Sequence, residues 1–260
     1  ANEEAMDRVF GVGGWQNETF EGVDVGAMFS SATRFIFMEG SDDNALEMEG
    51  FLDGHRTAIE AWVAAGGSIF INAAPNEGDG MSFGFGVTLN YNDSSSSVTA
   101  SRPSHPIFNG PYTPVGTAWS GSSFAHATVS GPGLVKLIEN TSNGRSVLSQ
   151  KSWGLGHVLV GGMTTHNFHN PQPEAANLRA NILAYAGNSP VGPYAYLRST
   201  TGSPWNTSVN ETIMTQVFGT DWSGLRFETV DTNVLFSPLT RVIFMDGSHV
   251  IADELEAFLD

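Results

Sequence analysis

Cysteine is absent from this 260-residue chain. Its absence rules out disulfides, thiolate metal sites and a cysteine nucleophile together. Positive charge is scarce: 11 Lys plus Arg stand against 27 Asp plus Glu, a formal net charge of −16. Nucleic-acid phosphates and anionic membrane surfaces both demand a basic face, and this composition supplies none. Nor does any run approach the ~20 consecutive apolar residues that span a bilayer, so membrane insertion is not expected. What is present is a globular mixture, 40% hydrophobic with 30 glycines and much Ser, Thr and Asn. The acidic, Lys-poor, Cys-free pattern points to a bacterial or archaeal protein of the extracellular space or cell surface, at home in salty or calcium-bearing surroundings. Asn-X-Ser/Thr triplets occur at Asn17, Asn92, Asn140, Asn206 and Asn210, as many as this composition produces by accident.

The chain repeats itself. "RFIFMEGSDDNALEMEGFLD" begins at Arg34, and "RVIFMDGSHVIADELEAFLD" begins at Arg241. The match extends upstream: Asn2-Glu3, Met6 and Val9-Phe10-Gly11 align with Asn210-Glu211, Met214 and Val217-Phe218-Gly219. After a one-residue gap, Trp15, Phe20-Glu21 and Val23-Asp24 align with Trp222, Phe227-Glu228 and Val230-Asp231. In all, 26 of 51 paired positions are identical, at an offset of 208 before the gap and 207 after it. A duplicated unit of that length is domain-sized and owns a core, unlike the short units of a solenoid. The expected division is 1–190 for the first copy, without an opening strand, and 191–260 for the start of a second. The incomplete copy has three open explanations: a window on a longer tandem array, a layer packed on the first unit, or a head-to-tail completion of a neighbouring molecule as in a filament. The strand expected at 193–200 is also a candidate to fold back into the first copy's sheet.

Hydrophobic pattern gives the order of elements. The apolar run 34–39, a helical pattern from Ala45 to Gly66-Gly67 and the apolar run 68–74 predict a βαβ unit, hence a parallel sheet. A Gly-rich loop over 76–86 carries Met81, Phe83 and Phe85, either as an exposed lip or as buried anchors. Short antiparallel strands are expected over about 85–150, with "VTLNY" and "SSSVTAS" joined at "NDSS", an extended "HPIFNG" at 105–110, and turns at Gly131-Pro132-Gly133 and Asn143-Gly144. A buried strand at 156–162 and an amphipathic helix at 173–187 follow.

The sequence of "FIFMEGS", "IEAWVAAGGSIFINAA", "HPIFNG" and "GHVLVGGMTTHNFHNPQPEAANLRANILAYA" resembles the class I glutamine-amidotransferase-like fold, in its ThuA-like and related extracellular branches. The resemblance covers most of residues 30–187. It implies a flavodoxin-like α/β fold, a mostly parallel sheet sandwiched by helices, with any site at the carboxyl ends of the strands. In such enzymes a Cys nucleophile follows the strand matching "SIFIN", and a His and a Glu follow the strand matching "HVLVG". Here the first place reads Asn72-Ala73-Ala74-Pro75, so Ala73 and Ala74 stand where a nucleophile is needed. The second place offers His166 or His169 with Glu174. Without a nucleophile that pair has no route to acyl transfer, though it retains the means to activate water or hold a ligand.

Other candidates weigh less. Asn72, Trp119 and Trp153 are ligand-binding candidates, the tryptophans as a stacking wall for sugar. Glu39, Asp42 and Asp43 are candidate oxygen ligands for Ca²⁺, but the EF-hand spacing is missing and the second copy reads His249 and Val250 where the aspartates stand. His166 and His169 lack a third ligand at zinc spacing. Recurring aromatics and carboxylates, such as Trp15/Trp222 and Glu47/Glu254, are read as shared core and caps. Two functions follow. One is a structural or adhesive module of a long extracellular tandem-repeat protein, whose partners are neighbouring copies and which needs no cofactor. The other is a ThuA-like hydrolase or carbohydrate-binding module built on His166, His169 and Glu174.

Overall fold

A computed structural model describes residues 1–187, 194–200, 207–218, 222–230, 232–236, 240, 242–248 and 251–260. The chain forms two compact units, Ala1–Asn188 and Ser189–Asp260. The helices of the first unit are α1 (Asn2–Phe10), α2 (Val25–Met28), α3 (Ala45–Ala64) and α4 (Glu174–Gly187). Its strands are β1 (Phe35–Glu39), β2 (Ser68–Asn72), β3 (Met81–Gly84), β4 (Val87–Asn90), β5 (Ser95–Ala100), β6 (Ala118–Ala125), β7 (Thr128–Ser130), β8 (Val135–Asn140), β9 (Ser146–Trp153), β10 (Gly156–Gly161) and β11 (His169–Asn170). The second unit holds β12 (Tyr194–Arg198), α5 (Thr207–Phe218), β13 (Trp222–Arg226), α6 (Thr232–Leu235), β14 (Val242–Met245) and α7 (Ala252–Leu259).

In the first unit β1, β2 and β10 are parallel neighbours, with Phe37, Phe70 and Leu159 in one register row. Alternation sends Ile36, Met38, Ile69, Ile71, Val158 and Val160 to one face and Phe35, Phe37, Phe70 and Leu159 to the other. Both faces are apolar, so both must be covered. Helix α3 covers the first through Met48, Phe51, Leu52, Ile59, Trp62 and Val63. Helices α1 and α4 cover the second. The return from α3 to β2 depends on glycine: Gly66 has φ +118°, and a Cβ on Gly67 would lie 2.6 Å from the Trp62 ring.

The sheet continues beyond β10 through antiparallel β9, β8, β5, β6 and β11. The fold is thus α/β with a mixed sheet: the parallel block is three strands wide, and the antiparallel strands of 81–153 extend the same sheet instead of forming a separate layer. Several local expectations change. β4 and β5 do not pair with each other; β4 lies between β3 and β7, while β5 lies between β6 and β8. The Gly-rich loop contains β3, and Met81, Phe83 and Phe85 are buried against α3 and not an exposed lip. Pro106–Phe108 is a turn of 3₁₀ helix, capped by His105, and not extended. α4 is buried nearly all round, not amphipathic, because α1, the sheet and the 106–108 turn enclose it.

Where the two stretches align, the helices and β14 of the second unit fall at the offset of the sequence repeat. α6 and β14 begin 207 residues after α2 and β1, and α7 begins 207 after α3. β12 pairs in parallel with both β13 and β14. The strand at 194–198 therefore builds its own three-stranded sheet and does not fill a place in the first unit's sheet. The duplicated stretch differs at one point: residues 222–226 form β13 against β12, whereas their counterparts, 15–19, form no strand. A strand persists only with a ladder partner, which β12 supplies to residues 222–226, and the two segments also differ in sequence, Gln-Asn-Glu-Thr at 16–19 against Ser-Gly-Leu-Arg at 223–226. His249, Val250 and Asn206 lie outside the described residues.

Phe70 sits at the centre of this arrangement, fully buried and stacked on Phe37 at 4.9 Å. Phe70→Ala is expected to lower unfolding stability by about 3–5 kcal/mol, read as a shift in urea midpoint at unchanged slope.

Candidate functional site at the carboxyl ends of the parallel strands

β1, β2 and β10 end at Glu39, Asn72 and Gly161, and the chain leaving each strand is tied to its neighbours. Asn72 is fully buried; its Nδ2 donates to the Met163 carbonyl at 2.8 Å, and its Oδ1 accepts from the Met163 amide at 3.1 Å. One side chain thus replaces a ladder step between β2 and the exit of β10. Ser41 Oγ accepts from the Ala74 amide at 3.0 Å and donates to Glu39, whose other oxygen accepts from Asn2 Nδ2. The residues at the nucleophile position lie within this clamp. Ala73 and Ala74 are buried, Ala73 N donates to Gly161 O at 3.0 Å, and His126 Nδ1 reaches the carbonyls of Ala74 and Pro75 at 3.2 and 3.1 Å.

Arg179, on α4, lies beneath them, 1% exposed. Its Nη2 donates to the Thr164 carbonyl at 2.7 Å, while Nε and Nη1 have no protein partner. Burial pushes the Glu39 carboxyl above its ordinary range; Arg179 and the hydrogen bonds from Ser41, Asn72 and Asn2 oppose that shift. Burial likewise pulls the guanidinium down, against the pull of Glu39. Both shifts run towards the neutral forms, so desolvation outweighs the attraction between the two charges.

His169 is 1% exposed, stacked on Phe124 at 3.9 Å, with Nε2 2.8 Å from Thr164 Oγ1. The Thr164 hydroxyl proton is directed to the Ser123 carbonyl at 2.8 Å, so His169 donates from Nε2 and its Nδ1 is a buried, unpartnered acceptor. Burial first, then Arg179, lowers its pKa to about 3. His166 is half-buried, its Nδ1 also unpartnered, and its pKa is lowered by burial and then by Arg179. Gln172 Nε2 donates to the backbone oxygens of both histidines, at 2.7 and 2.9 Å, holding their loop closed. Glu174 starts α4 with Oε2 buried and unpartnered. It makes no hydrogen bond to either histidine, and neither Nδ1 finds a donor or acceptor. The expected His–Glu pair is therefore not assembled, and Asn72 is engaged elsewhere.

The remaining candidates separate. Trp119 is 3% exposed and stacked on Phe108 in the core, so it presents no face to a sugar. Trp153 pairs with Gly156 at the amino end of β10, the opposite end from His166, where it packs on Phe85 and Lys151. Asp42 Oδ1 accepts from Asn76 Nδ2, and Asp43 is exposed, while Glu39 is turned inward to Asn2 and Ser41. These three carboxylates do not converge, and no group of three metal-ligating side chains occurs among the described residues. An open cleft of ≈ 510 Å³ lies elsewhere, on the antiparallel strands, with Asn90, Thr128, Lys136 and the Arg145–Asp93 ion pair (2.8 Å) in its wall. Arg179, His126, Asn2 and Ser41 were not among the candidates read from sequence. A usable signal existed for three of them: Arg179 is the one charge inside "AANLRANILAYAG", and Asn2 and Ser41 recur as Asn210 and Ser248.

No family model matches the chain, and no curated protein matches it. Among solved structures, a β-galactosidase from Rahnella sp. is similar at 14% identity, covering 57% of this chain and 22% of its own, with TM-score 0.38. A β-galactosidase from Bacillus circulans is similar at 12% identity, covering 58% and 22%, TM-score 0.36. A cytoplasmic protein from Salmonella typhimurium is similar at 15% identity, covering 71% and 85%, TM-score 0.39. The chain thus spans about a fifth of the length of the two galactosidases, and likenesses this weak bear on no activity. No helix among the described residues is long and apolar enough to cross a membrane.

Two outcomes are expected. In a double-mutant cycle, Glu39→Gln and Arg179→Leu each destabilise, and the double variant loses at least about 1 kcal/mol less than their sum, because neither charge is then left alone. Simple additivity in urea unfolding would refute the electrostatic link. His105, His157 and His169 have folded-state values lowered by burial to about 4, 3 and 3. The stability each contributes is complete above pH 6.5 and is lost as pH falls below it. Urea midpoints should drop from pH 7 to 4, less steeply in His169→Gln than in the parent.

Proposed function

We propose that this chain is a non-catalytic module of the amidotransferase-like α/β kind, repeated in tandem in an extracellular protein of a bacterium or archaeon, and serving as spacer, adhesive unit or filament subunit. The observation that supports this reading is the state of the residues that follow β2. Where a crevice is needed for chemistry, Ala73 and Ala74 are buried, Asn72 is locked to Met163, and His169 is sealed between Phe124 and Thr164. A reacting carbonyl meets no nucleophile at Ala73 or Ala74. The duplication supports the serial arrangement: a unit that recurs within one chain at 26 of 51 identical positions is kept as a building block. Its partners on this reading are neighbouring copies of the same unit.

The second reading, a hydrolase or carbohydrate-binding module, draws on one observation. His166 Nδ1 and Glu174 Oε2 are both unpartnered, and polar groups left that way serve a ligand more readily than a fold. The two readings separate in one assay. Purified protein is tested against chromogenic esters, amides and β-glycosides, beside His166→Ala, a half-buried site whose truncation the fold tolerates. Rates equal to buffer for both proteins are expected; turnover by the parent that His166→Ala abolishes by a hundredfold or so would establish the enzyme instead.

A further inference from the structure

The fold sorts the Asn-X-Ser/Thr triplets by what each asparagine amide is doing. Asn17, Asn92, Asn140 and Asn210 lie among the described residues. Asn140 is 5% exposed, and its Nδ2 donates to Ser94 O at 3.3 Å and to Ser95 Oγ at 2.8 Å. Asn210 lies on α5 with its Nδ2 on Asp246 at 2.9 Å. Asn17 is exposed, but its Nδ2 donates to Glu3 at 2.8 Å. Asn92, which opens Asn92-Asp93-Ser94, is exposed and its amide bonds to no group among the described residues.

Asn92 stands in the turn from β4 to β5 with φ +58°, a left-handed conformation that asparagine tolerates better than most side chains. The turn is held from both sides. Before it, Asn90 Nδ2 donates to Thr128 O at 3.3 Å and to Ser130 Oγ at 3.1 Å. After it, Asp93 accepts from Thr128 Oγ1 and pairs with Arg145 at 2.8 Å, and Asn140 bonds to Ser94 and Ser95. The buried triplet asparagine thus pins the loop that displays the exposed one.

The open cleft of ≈ 510 Å³ adjoins the same turn. Asn90 and Asp93, two residues before Asn92 and one after it, both stand in its wall, with Ser130, Lys136, Arg145 and Ser149. Its size falls in the range of small-ligand sites. The wall has no aromatic ring; it mixes donors (Lys136, Arg145), an acceptor (Asp93) and groups that are both (Asn90, Ser130). A simple anion meets the Asp93 carboxylate there, and an apolar ligand meets charge. The neighbouring hydroxyls of a sugar, each donor and acceptor at once, match the mixture.

We propose that Asn92 carries an N-linked glycan and that the adjoining cleft seats its first sugars. Attachment is a displacement. Asn92 Nδ2 bonds to the anomeric carbon of a saccharide activated as a lipid-linked phosphate ester, and the bond from that carbon to the phosphate oxygen breaks. The lipid phosphate leaves with the electron pair, and one amide proton passes to a base of the transferase. The proposal rests on the extracellular placement given above, because such transfer takes place on the outer side of a membrane.

The test takes the protein from the organism that encodes it, fractionated into cytosol, cell surface and medium, and maps glycopeptides by mass spectrometry. The expected result is protein outside the cell with a saccharide mass on the peptide that holds Asn92, lost in Asn92→Gln, and none on Asn140. Protein outside the cell with Asn92 bare, or with sugar on Asn17 alone, overturns this proposal and leaves the extracellular reading standing. Protein confined to the cytosol overturns both. The cleft is tested by a double-mutant cycle. Arg145→Ala is expected to lower Tm by about 2 °C more in the glycosylated parent than in Asn92→Gln, since the loss of Asp93's partner is common to both. Equal losses overturn the seating of the sugars. If Arg145→Ala does not fold, Lys136→Gln, at a half-exposed position, is read in the same way.

Discussion

The constraint on which the first unit depends is that its parallel strands β1, β2 and β10 are apolar on both faces, and that β2 and β10 have no wet face at all. Ile69, Phe70 and Ile71 are successive residues with no exposure, and alternation sends them to opposite sides of the sheet. Burying both sides needs a helix on each, and a parallel pair needs a crossover to join it. α3 satisfies both demands at once, since it carries the chain from β1 to β2 and roofs one face. α1 and α4 close the other face, and α4 is so enclosed that even Asn177, Arg179 and Asn181 are buried; the two asparagines bond to Arg8 and to the backbone of 112–114, while Arg179 bonds through Nη2 alone. The antiparallel strands widen this platform without changing it.

Enclosure has a cost at the strand ends, where backbone groups leave the ladder and need partners. Here side chains supply them. Asn72 stands in for a strand beside Met163, His126 takes two carbonyls, and Gln172 takes two more. Polar residues committed in this way are unavailable to a substrate. The proposed non-catalytic reading draws on this for Asn72 alone among the candidates; His166, His169 and Glu174 each keep an unpartnered polar atom. Glu39 and Arg179 are the exception, two opposite charges held in one interior where desolvation exceeds their attraction.

The duplicated stretch diverges after its shared tryptophan. Residues 222–226, Trp-Ser-Gly-Leu-Arg, form a strand beside β12, whereas residues 15–19, Trp-Gln-Asn-Glu-Thr, form none; both the differing residues and the neighbouring strand separate the two. Phe37 is half-buried and Phe244 exposed for the complementary reason: the first has β2 and its helices as neighbours, the second has β12. The recurrence of Asn, carboxylate and Ser was present in the two aligned sequences but unreadable as a unit. Nothing in linear spacing says that residues 37 positions apart, Asn2 and Glu39, meet in space.

Sequence alone determined the repeat and its offset, the buried strands at 34–39, 68–74 and 156–162, the long helix between the first two, and the lack of a nucleophile after β2. Those features are local: they follow from side-chain period, Gly-Gly stops and residue identity, which the chain carries whether folded or not. Tertiary structure decided which strands pair in the 81–153 segment, that Trp119 lies in the core and Trp153 at the far end of β10, and that His166, His169 and Glu174 make no hydrogen bond to one another. Those are questions of what lies beside what across long stretches of chain. Strand partners of similar composition, such as β4, β5 and β7, compete for the same ladder, and the winner is fixed by packing against the whole sheet.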